Sequence, residues 1–150
     1  MDAGRELDAK IHEHIFSAPV VWRWWDGSYD VISTFAERPP GEDGWLFVRE
    51  PCYYKPFDVV VLPKFERFAY QLVPCYPTDW AAAALVIEAM AAKGYEFALI
   101  RDGRSGPLYA AEFATDSSNI GETTYLHGQR SNEAPHAICL AALAALSIKV

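Results

Sequence analysis

Two alanine-rich helices constrain this chain most, because the second of them has almost no polar face. The first is predicted over "PTDWAAAALVIEAMAAKG" (77–94), with Thr78 as the N-cap and Gly94 directly after the last helical residue. The second is predicted over "SNEAPHAICLAALAAL" (131–146), with Pro135 in its first turn. A helix that is apolar all round is buried on more than one side. We therefore expect the second helix to pack against a sheet and also against another helix, either the first one or that of a second copy.

The first half of the chain predicts one short helix and several strands. Residues 5–16 carry apolar side chains every four positions, which is typical of a helix. Residues 20–25 and 29–35 predict two strands, and Asp26-Gly27 between them is a hairpin signal. "WLFVRE" (45–50) predicts a third strand. The proline-rich stretch around 36–76 is interpreted as an irregular excursion from the main sheet.

The second half predicts further strands between the two long helices. "YEFALIR" (95–101) and "PLYAAEFA" (107–114) predict a hairpin around "DGRSG", and "ETTYLHG" (122–128) predicts another strand. Strands joined by tight turns pair antiparallel. The fold class expected is therefore α+β: a mainly antiparallel sheet of four to six strands, sandwich-like, with the two alanine-rich helices packed on it and a short N-terminal helix. A chain of 150 residues has the size of one domain.

Composition excludes several classes of partner. The formal net charge of −7 is unfavourable for binding duplex DNA or an anionic membrane, both of which need basic surfaces. We find neither a signal peptide nor an apolar run long enough to span a bilayer, and expect a cytoplasmic protein. The three cysteines are odd in number and form no CxxC motif, so neither a disulfide framework nor a metal site is predicted. No cofactor is expected.

The two long helices resemble those of a known family, the phage ABA-sandwich domain of small phage and prophage proteins. "YPTDWAAAALVIEAMAAKGYEFALI" and "APHAICLAALAAL" carry the resemblance, and "LDAKIHEHIF" followed by a Trp is similar to the opening helix of the family. The similarity covers residues 5–24 and 74–149, whereas residues 26–73 depart in length and composition. It implies a single domain over residues 1–150, a sheet covered by helices, and a protein made by a phage inside an infected bacterial host. It implies no catalytic residues.

Catalytic motifs are missing from the sequence. HExxH, GxSxG, the P-loop and GxGxxG do not occur, and His12 and His14 lie two residues apart on a predicted helix, where their side chains diverge. We therefore expect that the protein is not an enzyme.

Aromatic residues and arginines provide the more informative pattern. In "VVWRWWDGSYD" (20–30), alternation places Trp22 and Trp24 on an apolar face, where we expect them, like Trp80 in the first long helix, to be core. Trp25 shares the opposite face with Arg23, and we consider both core packing and ligand stacking for it, with Tyr53 as a further aromatic on that side. Arginines occur near the predicted turns and strand ends, at positions 23, 49, 101, 104 and 130.

Two loops combine glycine, arginine and serine in a way that suits a phosphate. "DGRSG" contains Arg104 and Ser105, and "GQRSNE" contains Arg130, Ser131 and Asn132 directly before the last helix. Backbone N–H groups in such loops, next to a helix N-terminus, bind anions. Ordinary turn chemistry would also explain either loop alone.

These features predict a non-enzymatic binding protein. The ligand we expect is a small anionic nucleotide, sequestered from bacterial anti-phage immunity, such as a cyclic oligonucleotide or a cyclic ADP-ribose derivative. The alternative is a protein–protein interaction module, either an inhibitor of a host defence protein or a phage accessory protein. In both cases the apolar last helix leads us to expect a homo-oligomer, most simply a dimer.

Overall fold

The chain forms two compact units. The computed structural model describes residues 4–25, 35–36, 48–54, 70–103, 108–116 and 120–150. The first unit combines Met1–Ser17 with Pro74–Val150, and the second, Ala18–Val73, is inserted in sequence between these two segments.

All helices among the described residues belong to the first unit, and each unit has its own sheet. The helices are α1 (Arg5–Ile15), α2 (Trp80–Ala92), α3 (Ile120–His127) and α4 (Ala134–Ala145). The strands of the second unit are β1 (Val21–Trp25), β2 (Phe35–Ala36), β3 (Val48–Tyr54) and β4 (Tyr70–Leu72). Those of the first unit are β5 (Glu96–Asp102), β6 (Leu108–Ala114) and β7 (Gln129–Ser131).

The α+β class with antiparallel pairing is confirmed, although the strands divide between two sheets. In the first unit β6 is the central strand, pairing with β5 from Glu96↔Ala114 to Asp102↔Leu108 and with β7 around Ala110↔Arg130. In the second unit the strand order is β2-β1-β3-β4, also antiparallel throughout. The expected single sheet of four to six strands is thus a three-stranded and a four-stranded sheet.

Helices cover both faces of the three-stranded sheet. Consecutive residues of a strand point to opposite faces, and Ala110 and Ala111 of β6 are 1% and 0% exposed. On the Ala110 side α3 packs against β5 and β6, with the Thr124 hydroxyl 3.0 Å from the Glu112 carboxylate. On the Ala111 side α4 packs against β6 and β7, and α1 and α2 pack in turn on α4. This unit is therefore a sheet enclosed between two helical layers.

The expected burial of the last helix on several sides is confirmed, and the elements that bury it belong to the same chain. Ala137, Ile138, Cys139 and Leu143 are 0% exposed, enclosed by the sheet, α1 and α2. Burial raises the pKa of the Cys139 thiol, and the Asp8 carboxylate raises it further. Cys139 is accordingly an unreactive core residue. The apolar character of α4 no longer requires a second copy.

Capping fixes both ends of α2, although the N-cap differs from the one predicted. Asp79, not Thr78, is the N-cap, and its carboxylate accepts a 2.9 Å hydrogen bond from the Ala81 N–H. At the other end Gly94 adopts a φ of 91°, as expected of the residue after the C-cap. The N–H of Tyr95 donates to the carbonyl of Met90 over 3.1 Å, which completes a Schellman motif.

The strand predicted over residues 122–128 is wrong, because this segment forms most of α3. Thr124 is 0% exposed, and its hydroxyl lies within hydrogen-bond distance of the Ile120 carbonyl as well as of Glu112. A threonine hydroxyl that bonds to the preceding turn is compatible with helix, despite the preference of β-branched residues for strands.

The four-stranded sheet of the second unit includes two strands from the stretch interpreted as irregular. β3 and β4 both fall within residues 36–76, and β3 overlaps the third strand predicted over residues 45–50, which is thereby confirmed in part. β1 pairs with Phe35 at the end of the predicted second strand, whereas the predicted turn at Asp26-Gly27 lies outside the described residues.

Pro51 is accommodated inside β3 because of its place in the ladder. Its carbonyl accepts a 3.0 Å hydrogen bond from the Val73 N–H, one residue beyond the end of β4. The N–H and C=O of a strand residue point to the same neighbouring strand. The N–H that proline lacks would therefore have faced only Val73, at the end of the β3–β4 ladder.

Within the described residues, no helix combines the length and the apolar character needed to cross a membrane.

Candidate functional site

A cleft of about 280 Å³ lies in the first unit, where the N-terminal ends of α2 and α4 approach β6. Two aromatic side chains, three polar side chains and two small apolar residues line it: Trp80, Tyr109, Thr78, Asn132, Glu133, Ala134 and Pro135. Pockets for small molecules span roughly 300–1,000 Å³ and combine aromatic walls with a few polar groups. This cleft has that composition and lies just below the lower end of that size range.

Trp80 is the most unusual residue of the cleft. It is the first residue of α2 and is 57% exposed, so the expectation that it belongs to the core is wrong. Ala83, Val86 and Met90, which follow it along the same side of the helix, are each 0% exposed. The buried side of α2 therefore begins one turn after Trp80. An exposed indole at the edge of a cleft offers a flat apolar surface for stacking.

Asn132 and Glu133 contribute polar groups to the lining of the cleft. Both are exposed, and Glu133 is the N-cap of α4 by its backbone, while its side chain makes no capping hydrogen bond. The Ser131 hydroxyl takes that role, because its oxygen accepts a 3.2 Å hydrogen bond from the Glu133 N–H. It also lies 2.9 Å from His136 Nδ1. Asn132 and Glu133 can therefore turn their side chains towards a ligand, whereas Ser131 supports the start of α4.

Arg130 is not brought to the cleft, although it precedes Ser131 in sequence. Ser131 pairs with Tyr109 and Arg130 with Ala110, so the two residues lie on opposite faces of the sheet. Arg130 Nη1 lies 3.7 Å from the Asp102 carboxylate, and Nη2 donates to the Tyr125 carbonyl. The predicted phosphate set is thus divided, with Asn132 in the cleft, Ser131 beside it and Arg130 on the α3 side. Arg104 and Ser105 lie outside the described residues.

Arg101, unlike Arg130, lies on the same face of the three-stranded sheet as Tyr109, which lines the cleft. It pairs directly with Tyr109 across β5 and β6, and Tyr109 pairs in turn with Ser131. Side chains at directly opposed positions have Cβ atoms about 4.5–5.5 Å apart. Arg101 is exposed and forms no ion pair with another described residue. Sequence alternation could have placed Arg101 and Tyr109 together, given the correct hairpin register.

Arg23 and Tyr53 lie on opposite faces of the four-stranded sheet and do not form one surface. Arg23 pairs with Glu50, and its guanidinium lies 4.2 Å from the centre of the Tyr70 ring. Tyr53 pairs with Gln71 and donates a 3.2 Å hydrogen bond to the Gln71 side-chain carbonyl. The site predicted on the Arg23 and Tyr53 side is therefore not assembled in this form.

The tryptophans of β1 are only partly described. Trp22 and Trp24, expected in the core, are partly buried, and the Arg49 guanidinium lies 5.8 Å from the centre of the Trp22 ring. The backbone of Trp25 belongs to β1, whereas its side chain lies outside the described part of the chain.

In the part of the chain that the structure describes, histidine, cysteine, aspartate and glutamate residues do not converge on a metal-binding arrangement. Among the residues that the structure describes, no group of three such side chains could hold a metal ion.

Comparisons with known proteins yield one weak structural likeness. No family model matches the chain, and no curated protein matches it significantly. A solved structure of a phage protein from Bacillus cereus aligns with a TM-score of 0.43 and 16% sequence identity, covering 100% of this chain and 92% of that one. A likeness at this level establishes neither a shared fold nor a shared activity.

Proposed function

We propose that this protein is a non-enzymatic binding protein that sequesters a nucleotide in the cleft between α2 and α4. The observation that carries the proposal is the exposure of Trp80, 57%, at the edge of a cleft that also contains Tyr109. A nucleobase stacked on an aromatic side chain gains about 1–3 kcal/mol. Asn132 and Glu133, which also line the cleft, supply hydrogen-bonding groups that would fix the orientation of the base.

The role we propose is sequestration of a nucleotide second messenger of anti-phage immunity, in the cytoplasm of the infected host. The phage origin rests on the sequence resemblance to the ABA-sandwich domain. In this proposal the cleft, with its volume of about 280 Å³, holds one base with its ribose. A cyclic oligonucleotide contains at least two such units, so its capture would use one cleft from each of two copies. Homo-oligomerisation is therefore part of the proposal.

Calorimetric titration and thermal unfolding with a panel of nucleotides test this proposal. A ligand present at 100 times its Kd stabilises the fold by about 2.7 kcal/mol, which is easily measured. Trp80→Ala should remove most of this stabilisation, whereas Leu85→Ala is the matched control, because Leu85 is an exposed apolar residue of the same helix. Absence of stabilisation by every nucleotide at millimolar concentration would refute the proposal.

A second candidate function, protein–protein interaction, is favoured by the outer side of α2. Leu85 is 47% exposed, and Ala81 and Ala84 beside it are also exposed. Contiguous exposed apolar residues mark interaction surfaces. In this case the protein would be an inhibitor of a host defence protein or a phage accessory protein. Leu85→Glu should then abolish anti-defence activity in infected cells while the nucleotide affinity stays unchanged. Loss of activity in Trp80→Ala alone would favour the nucleotide instead.

A further inference from the structure

Two polar residues that line the cleft, Asn132 and Glu133, bear on which nucleobase the cleft would prefer. Glu133 lines the cleft, and its carboxylate is not used to cap its own helix. An ionised carboxylate accepts hydrogen bonds and cannot donate them. A base that presents two N–H groups side by side would satisfy both carboxylate oxygens. A base that presents a carbonyl or an unprotonated ring nitrogen at that position would place acceptor against acceptor.

Guanine is the common base that meets this requirement. Its N1–H and its N2 amino group lie next to each other, whereas adenine has an unprotonated N1 and uracil has a carbonyl on each side of its single N–H. Asn132 also favours guanine, because its side-chain amide can donate a hydrogen bond to the O6 atom next to N1. Hydrogen bonds to a charged group are roughly twice as strong as neutral ones, which favours discrimination at this position.

The phosphate of such a ligand needs a cation near the opening of the cleft. With one base and ribose inside about 280 Å³, the phosphate would lie at the edge. Arg101 faces Tyr109 directly across the β5–β6 ladder and is exposed. Arg130 lies on the other face of the sheet, next to the Asp102 carboxylate. A guanidinium binds phosphate through two parallel N–H donors, which makes Arg101 the better placed arginine.

We infer that the cleft binds a guanine nucleotide, with Glu133 and Asn132 recognising the base between Trp80 and Tyr109, and with Arg101 holding the phosphate. This inference rests on the proposed nucleotide-binding function and gives it a ligand class and a phosphate-binding residue.

Calorimetric titration of the full chain with guanosine monophosphate (GMP), adenosine monophosphate (AMP), uridine monophosphate and guanosine tests the inference. We expect GMP to bind roughly 10- to 100-fold more tightly than AMP, about the range that one hydrogen bond to a charged group provides. Glu133→Gln should bring GMP and AMP to similar affinities. Arg101→Ala should weaken GMP about tenfold or more and leave guanosine unchanged, because guanosine has no phosphate.

Matched arginine variants provide the control. Arg130→Ala should leave the GMP affinity unchanged, since Arg130 lies on the other face of the sheet. Equal binding of GMP and AMP by the unaltered protein, or an unchanged GMP affinity in Arg101→Ala, would overturn the inference while nucleotide binding itself still stood. A weakened GMP affinity in Arg104→Ala with none in Arg101→Ala would move the phosphate to the β5–β6 connection and overturn the assignment of Arg101. No binding of any nucleotide would remove both the proposed function and this inference.

Discussion

His12 and Tyr76 are joined by a hydrogen bond of 2.8 Å between His12 Nδ1 and the Tyr76 hydroxyl oxygen, in the interior of the first unit. The two residues are 6% and 2% exposed, and the Phe16 ring stacks on Tyr76 with 5.3 Å between the ring centroids. Burial lowers the pKa of His12 below its ordinary value of 6.5, because desolvation disfavours the charged imidazolium. This pair therefore links the stability of the unit to pH.

Stability should decrease as the pH falls below about 6.5. An unfolded chain binds a proton at His12 near that pH, whereas the folded protein binds it only at a lower pH. Between these two pH values the unfolded state carries more protons, so the free energy of unfolding rises with pH. The contribution of His12 is complete above the unfolded pKa and is lost as the pH falls towards the folded one. Urea unfolding between pH 7.5 and 5.0 measures it.

His12→Asn is the control for this dependence, since the asparagine amide can replace the bond at Nδ1 but does not titrate. We expect a smaller loss of stability between pH 7.5 and 5.0 in this variant than in the unaltered protein. Equal slopes would show that other titratable groups, and not His12, cause the dependence.

Gly128→Ala should destabilise the first unit. A Cβ at this position would lie 2.5 Å from the Thr124 carbonyl oxygen and 3.1 Å from that of Ala111, both backbone atoms that cannot easily move. Forced overpacking of this kind costs about 1–3 kcal/mol. Gly121→Ala is the matched control, because nothing lies within 4 Å of its Cβ and alanine favours the helix by up to about 1 kcal/mol. Equal unfolding midpoints for the two variants would contradict the close approach of α3 to β6.

Asp79→Ala should lower the stability by about 0.5–2 kcal/mol, the usual value of an N-cap side chain. The hydrogen bond from the Ala81 N–H to the Asp79 carboxylate would be lost. Thr78→Ala should cost less, because the Thr78 hydroxyl forms only a 3.4 Å bond to the Cys75 carbonyl. Thermal unfolding of both variants distinguishes them, and a larger effect at Thr78 would restore it as the cap.

Met90→Ala should cost about 2–5 kcal/mol, because Met90 is 0% exposed and its removal leaves a cavity. Leu85→Ala on the same helix should change the stability by no more than about 0.5 kcal/mol, as expected of an exposed position. Chemical denaturation of the pair measures which side of α2 faces the core. A large loss at Leu85 would indicate that its side chain is covered, for example in an oligomer.

The parts of the fold that the sequence predicted are those in which local signals agree. α2 and α4 have strong helix formers and recognisable ends, and Gly94 adopts the positive φ that its position after the helix predicted. α3 was missed because Thr123, Thr124 and Tyr125 favour strands by propensity. The contact of Thr124 with Glu112, which lies on another element, is a tertiary interaction that propensity does not include.

The sequence predicts the candidate site only in part, because residues adjacent in sequence can lie on opposite faces of a sheet. Asn132 lines the cleft. Arg130 lies in β7 opposite Ala110, and its side chain is therefore on the face of the sheet that packs against α3. Trp80 was assigned to the core by its helical periodicity, which does not show where along a helix the core begins. Arg101 required the register of the β5–β6 hairpin, which depends on a turn whose residues do not specify it uniquely.

The insertion of Ala18–Val73 between the two segments of the first unit has a consequence for folding on the ribosome. α1 is synthesised first but packs against α2 and α4, and Lys10 Nζ donates a 2.8 Å hydrogen bond to the Lys149 carbonyl. At about 5–20 residues per second, the chain from the end of α1 to the end of α4 takes roughly 6–26 s to synthesise, and α1 lacks its full set of partners until then. Its apolar side, with Leu7, Ile11 and Ile15, is exposed to chaperones and proteases throughout that interval. The second unit is a single continuous segment, so it can form its own sheet before synthesis of the first unit is complete.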